Sequence, residues 1–334
     1  MIEAISLIIF AAVFQGVFLL PMSRARGWAW EHIWLAFSAT GMIACNWVLT
    51  FLLLPNPAAI FAGVPHHELL TLACFGIAWG VGAVLFGLAM DMLGLALGYP
   101  LIMGLNASVG TLVPLLWTYG TAMFSGRRLF IGVGTVIAIA GISICSIAAA
   151  RRESGKHQID SRAAGRTFSG LAVAIASGLL SSLPNIGLYY GTASVESARR
   201  LGASSTLAGN AVWFIFFTFG GAVNVLYCWW LMIRHKNTHA LFAPARVANW
   251  LPALAMGGMW IGSFYLYGIG TAELGQDGST IGWPIFVTLS IGVGVFGGLS
   301  RGEWKGANPK ARTLLWLGLF LIVAAVLLIP LGGT

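Results

Sequence analysis

Ten carboxylates, six imidazoles and a handful of amides and hydroxyls set in apolar surroundings are the groups in this sequence with chemistry to offer. The acids are Glu3, Glu31, Glu68, Asp91, Glu153, Asp160, Glu196, Glu273, Asp277 and Glu303. All of them, and His32, His66, His67, His157, His235 and His239, fall in loops or at the ends of apolar runs. An ionisable group deep in an apolar run is costly and therefore normally functional; here that pointer is missing. Proton-coupling candidates must come from the edges. Asp91 and Glu273 end the third and eighth apolar runs at nearly equivalent places, and Glu68 opens the third; Asp277 and Glu3 come next. For each of these a solvated helix end is the simpler reading.

Neutral polar groups carry more information. Gln15, Asn46, Asn106, Ser108, Thr111, Asn185, Asn210 and Asn224 lie inside apolar runs. A primary amide facing lipid would leave donors and acceptors unpaired, so each must face protein. Helix-to-helix hydrogen bonding accounts for any one of them. As a set they suit a pocket for a polar, uncharged solute, because an amide both donates and accepts. Aromatic rings stand near them. Asn185 and Tyr189 are one helical turn apart, and Trp79, Trp260, Tyr265 and Tyr267 lie well inside their runs. Flat rings beside amides fit a sugar, whose C–H faces pack on aromatics while its hydroxyls need partners. Trp28, Trp30, Trp34, Trp229, Trp230, Trp250 and Trp304 read instead as interfacial anchors.

No nucleophile–base pair, paired acids or metal ligands occur within the apolar runs, and no CxxC, HExxH or P-loop is present. An enzyme is therefore not expected, nor a cofactor or a metal. Cys45, Cys74, Cys145 and Cys228 sit in apolar runs and read as packing residues.

The elements that must position these groups follow from composition. Hydrophobic residues make up 58% of the 334 and charged residues 8%, far below the quarter a water-exposed surface needs. Lipid must cover most of this chain. Ten stretches approach or exceed the roughly 20 apolar residues that cross a hydrocarbon core: 4–21, 32–54, 68–91, 95–121, 129–149, 167–190, 205–232, 250–272, 279–299 and 311–330. The first has acidic Glu3 and no basic flank before it, so it reads as a span and not a cleaved signal. Arg127, Arg128, Arg199 and Arg200 occupy one set of alternate loops, and the other Lys and Arg residues occupy the other set. The positive-inside rule puts the basic set in the cytoplasm and both termini outside. The net charge of +8 then meets anionic lipid head groups, with no nucleic acid required.

The hydrophilic stretch 150–166 divides the spans into two sets of five, residues 1–155 and 156–334. The two sets share a pattern. Trp79, Gly87, Leu93 and Gly94 precede Tyr99-Pro100; Trp260, Gly268, Leu274 and Gly275 share the spacings of those four and, after three additional residues, precede Trp283-Pro284. Five spans per set is odd, so the sets enter the membrane from opposite sides. The expected fold is all-α: ten transmembrane helices in two inverted five-helix repeats, with the substrate site between repeats and alternating access about it. One chain supplies both repeats, which is compatible with a functional monomer.

The chain also resembles a known family. The features are Arg26-Gly27-Trp28-Ala29-Trp30-Glu31 with Trp34, Phe75-Gly76-Ile77-Ala78-Trp79-Gly80-Val81-Gly82 with Gly87-Leu88-Ala89-Met90 and Leu93-Gly94, Glu196 with Leu201-Gly202, Gly257-Gly258-Met259-Trp260, and Glu303-Trp304-Lys305-Gly306-Ala307. They are similar to the L-rhamnose–proton symporter family of the drug/metabolite transporter superfamily, over nearly the whole length. The resemblance implies proton-driven uptake of L-rhamnose, or a related neutral sugar, across a bacterial inner membrane. Read together with the residues above, it puts the sugar against Trp79, Asn106, Asn185, Tyr189, Trp260 and Tyr265, with the proton on Asp91, Glu273 or Glu68. The alternative within the superfamily is an exporter of a small polar metabolite.

Overall fold

A computed structural model describes residues 2–154, 164–275, 278–300, 302 and 304–332. The acids Asp160, Asp277 and Glu303 and most of the 150–166 stretch lie outside these residues. The described residues are helical with no strand. The helices are α1 (Ile2–Val17), α2 (Trp30–Phe37), α3 (Asn46–Leu53), α4 (Pro57–Ala62), α5 (His66–Tyr119), α6 (Leu129–Ser154), α7 (Ala164–Ser181), α8 (Leu183–Tyr190), α9 (Thr192–Arg200), α10 (Ser205–Ala208), α11 (Ala211–Arg234), α12 (His239–Phe242), α13 (Trp250–Glu273), α14 (Gly278–Ser300) and α15 (Pro309–Leu328). A π-helical stretch, Ser38–Cys45, joins α2 to α3. Asn-Pro opens both α4 and α15: Asn56 and Asn308 accept an N–H of the first turn, and the proline has no N–H to leave unpaired.

Nine stretches among the described residues are long and apolar enough to cross a membrane. The expected span at 250–272 is not among them, although α13 covers it with 24 residues, about 36 Å at helical rise. Its Gly, Ser, Tyr and Trp content lowers its hydropathy. Ala253, Gly257, Trp260, Ile261, Phe264 and Tyr267 are buried, so protein rather than lipid meets much of this helix.

A second difference concerns the third and fourth expected spans. They lie on one helical element, α5, of 54 residues. The sequence places Asp91 at a helix end, but its backbone is helical well inside α5, between the apolar stretches His66–Ala89 and Leu101–Ala122. Its side chain lies outside the described residues. Asp91 and Pro100 do not stop the helix, because helical residues continue on both sides of each.

The chain divides into two compact units that cut across the 1–155 and 156–334 halves. The first holds Met1–Val81 and Gly187–Glu273, the second Gly82–Ile186 and Leu274–Thr334. In the first unit α13 packs on α1, on the π-helical stretch and on α2. Gly41 lies close against Gly257, where a Cβ on Gly41 would stand 2.6 Å from the Gly257 Cα. With no side chain on either residue, the two backbones can pack directly. The segment before α2 is tied to the segment after α11: Asn249 exchanges hydrogen bonds with the Arg26 backbone at 3.1 and 2.9 Å, and the Trp28 indole donates to Ala240 O. In the second unit α6 lies along α15, and α14 packs on both. Ser177 of α7 donates to Gly82 O of α5 at 2.9 Å.

Candidate functional site

Helical spacing builds an aromatic cluster in the first unit. On α11, Trp213, Phe216 and Phe217 share a face at i, i+3 and i+4; on α13, Trp260 and Phe264 are one turn apart. α5 adds Trp79 and α2 adds Phe37. Trp79 stacks on Trp260 with centroids 5.6 Å apart and planes inclined 29°. Phe217 packs edge-on against Trp260 and Phe264, at 4.8 and 4.7 Å, and Trp213 stacks on Phe217 at 5.2 Å. Phe37 meets Trp260 edge-on at 5.8 Å. These offset and edge-to-face geometries suit the ring quadrupoles, and every ring is buried. The two tryptophans at matching places in the repeat are thus neighbours in space.

Polar groups surround this cluster. Asn46 of α3 donates to Trp213 O at 3.1 Å. Tyr265 of α13 donates to Asn46, lying 2.9 Å from Oδ1 and 3.1 Å from O, and also lies 2.8 Å from Thr50 Oγ1. The Tyr265 hydroxyl is therefore occupied by protein and ties α13 to α3. The Trp34 indole donates to Asn224 Oδ1 at 3.0 Å, and Asn224 donates to Gly220 O. Gln15 of α1 accepts from Ser263 at 2.8 Å.

Asn106 and Asn185 belong to the second unit. Asn185 donates to Gly110 O of α5 at 2.6 Å and to Ser279 O of α14 at 3.0 Å, which uses both amide protons. The Trp283 indole donates to Asn106 O at 3.2 Å, while the Asn106 Oδ1 has no hydrogen-bond partner. Tyr189 is half-buried on α8, and the boundary of the compact units falls between it and Asn185.

The three proton-coupling candidates differ sharply. Glu273 is the exposed last residue of α13. Asp91 has been described above. Glu68, in the first turn of α5, is buried, only 4% exposed. Its carboxylate accepts from Ala193 N at 2.9 Å, Ser194 N at 2.7 Å and Ser194 Oγ at 2.6 Å. These N–H groups open α9, whose own N-cap, Gly191, has no side chain to offer. Glu68 takes over the cap from another helix, with a negative charge where the helix dipole favours one.

A second buried carboxylate was on the sequence's acid roster without a role. Glu31 Oε1 lies 2.9 Å from His235 Nδ1 and accepts from Asn237 Nδ2 at 2.8 Å. It joins the start of α2 to the segment after α11, and no sequence spacing pairs residues so far apart. Sequence reasoning also passed over Trp213, one of 14 tryptophans. Its indole N–H and both polar atoms of the Asn210 amide are buried without a partner. Among the described residues no cluster of metal-ligating side chains occurs.

The family model and the named relatives point to one group. The family model described as "L-rhamnose-proton symport protein (RhaT)" matches residues 1–334. Relatives named L-rhamnose-proton symporter include one from Cronobacter sakazakii, 28% identical over 327 residues. Others come from Mannheimia succiniciproducens and Yersinia pestis, each 26% identical. In each case the match covers 94% of this chain and 93% of the relative. One solved crystal structure has a similar fold, with a TM-score of 0.56 at 16% identity, covering 97% of this chain and 95% of the other.

Proposed function

This chain belongs to the L-rhamnose-proton symport protein family, and from that premise we propose that it couples proton entry to uptake of L-rhamnose, or a closely related neutral sugar, across a bacterial inner membrane. The observation that carries the site is the buried Trp79–Trp260 stack, made by residues that match in the sequence repeat. A pyranose has apolar C–H faces that pack on such rings. Tyr265, committed to Asn46 and Thr50, would hold α13 in register beneath them. Asn106, Asn185 and Tyr189 remain proposed sugar contacts, Asn106 first because its Oδ1 is unpartnered.

The finer architecture belongs to the same proposal: α13 as the tenth span, two inverted five-helix repeats of the drug/metabolite transporter kind, and both termini outside. The repeat spacings and the distribution of Lys and Arg support it. Glu68 is the proposed proton carrier, ahead of Asp91 and Glu273. As a carboxylate it accepts three hydrogen bonds from α9; a proton added there would place an O–H against donors and release the cap. A coupling ion biases a transporter only by binding its two states differently, and making or breaking this cap supplies such a difference.

Proteoliposomes with labelled L-rhamnose test this reading. Accumulation that needs an imposed proton gradient, with exchange continuing in its absence, is expected. Exchange unaffected by any gradient leaves a sugar carrier without proton coupling. Efflux of other metabolites with no rhamnose movement favours an exporter instead.

A further inference from the structure

Asn210 and Trp213 stand at the start of α11, and neither side chain is exposed at all. The Asn210 amide makes no hydrogen bond through Nδ2 or Oδ1, and the Trp213 indole makes none through Nε1. This contrasts with Asn46 and Asn224 in the same unit, whose amides are engaged by protein. The unengaged groups converge on one backbone position. A Cβ on Gly268 of α13 would collide with Asn210 Oδ1 and stand 3.0 Å from Trp213 Nε1. Gly268 is the partner of Gly87 in the sequence repeat, yet a Cβ on Gly87 would meet nothing within 4 Å. Only the second copy of the motif uses the missing side chain to admit polar groups.

Buried polar atoms are normally satisfied, and leaving three unsatisfied is costly unless something else meets them. The groups on offer are neutral: an amide N–H₂, an amide oxygen and an indole N–H. They offer no charge to hold an anion, and among the described residues there is no metal-ligand cluster. Their complement is a neutral group that both donates and accepts, which a hydroxyl does. The apolar wall beside them is the ring cluster itself, since Trp213 stacks on Phe217 and meets Phe264 at 5.5 Å.

We propose that Asn210 and Trp213, admitted by Gly268, form a hydroxyl-reading subsite for the transported sugar, with Trp213 Nε1 and the Asn210 amide binding neighbouring hydroxyls of one pyranose. This rests on the reading of the chain as a sugar carrier, and it adds the residues that set which sugar is taken. A site built to hydrogen-bond a hydroxyl rejects analogues that lack it, because its own buried groups are then left unpaired.

The test is competition by the monodeoxy derivatives of L-rhamnose against labelled L-rhamnose in proteoliposomes. Wild-type protein should bind at least one derivative about tenfold more weakly than rhamnose. Trp213→Phe keeps a ring and removes the N–H; it should weaken rhamnose about tenfold and erase the penalty for that derivative alone. Asn210→Ala should do the same for a neighbouring hydroxyl. Asn224→Ala, which breaks hydrogen bonds with Trp34 and Gly220 and none with Asn210 or Trp213, should leave the ranking of derivatives unchanged. The subsite is overturned if both variants weaken all derivatives in proportion, or if they transport with the wild-type ranking, as a bridging water alone would give. It is equally overturned, without recourse to any variant, if wild-type protein distinguishes no deoxy derivative from rhamnose. Wild-type protein that moves no rhamnose at all overturns the carrier reading itself.

Discussion

Glu68 is a buried carboxylate that caps a helix far from it in sequence. It meets three donors at 2.6 to 2.9 Å at the opening of α9, and charge-assisted bonds of this kind are each stronger than neutral ones. Glu68→Gln keeps the size but replaces the anion with an amide that has a single acceptor oxygen. We expect gradient-driven accumulation to be abolished while rhamnose exchange persists, measured side by side in the same vesicles. Equal loss of both would assign Glu68 to folding alone. Ser194→Ala removes one of the three donors and should cost about 1–2 kcal/mol, read as a lowered melting temperature in detergent. The matching places of Trp79 and Trp260 were legible in the spacing; that the two rings stack was not, because spacing along the chain does not bring two helices together. The role of Glu68 was legible only as an acid at a helix edge, because its partners lie more than a hundred residues away on α9. Trp213 gave no signal, since an indole amid Phe and Ile looks like ordinary packing until its N–H is seen without a partner.

At the scale of elements, close backbone approach governs the first unit. Gly41 and Gly257 bring the π-helical stretch against α13. Gly41→Ala would force these elements apart, and an overpacked contact of this kind costs about 1–3 kcal/mol. Gly258→Ala, next in sequence but with nothing within 4 Å of its added Cβ, should be nearly silent. A thermal-melting comparison that ranks the two equally would remove the glycine contact from this role. The helical elements themselves were largely readable from apolar run length. The two departures have physical causes. α13 carries Gly, Ser, Tyr and Trp because it is buried among helices, and burial in protein does not require the hydropathy that lipid does. α5 continues past Asp91 and Pro100 because neither residue forbids a helix: an acid between two apolar stretches need not meet lipid, and apolar helices tolerate proline when neighbours satisfy the freed carbonyl.

For the molecule as a whole, the proposed orientation rests on the distribution of Lys and Arg. Cysteines placed by Lys236→Cys and Arg199→Cys in opposite sets of loops should react with an impermeant maleimide from opposite faces of the membrane, Arg199→Cys from outside in intact cells. Labelling of both from one side would reverse the assignment of the termini or the count of spans between them. The matched spacings that suggest a repeat are a property of the sequence, whereas the compact units were not legible there, since each draws on both halves of the chain and a linear sequence favours contiguous division. Coupling of sugar to proton is the central claim, and its most direct measurement is the pH of a weakly buffered, de-energised cell suspension producing this protein when L-rhamnose is added. Alkalinisation of the medium in step with sugar entry is the predicted result; entry of rhamnose with no change in external pH would contradict it.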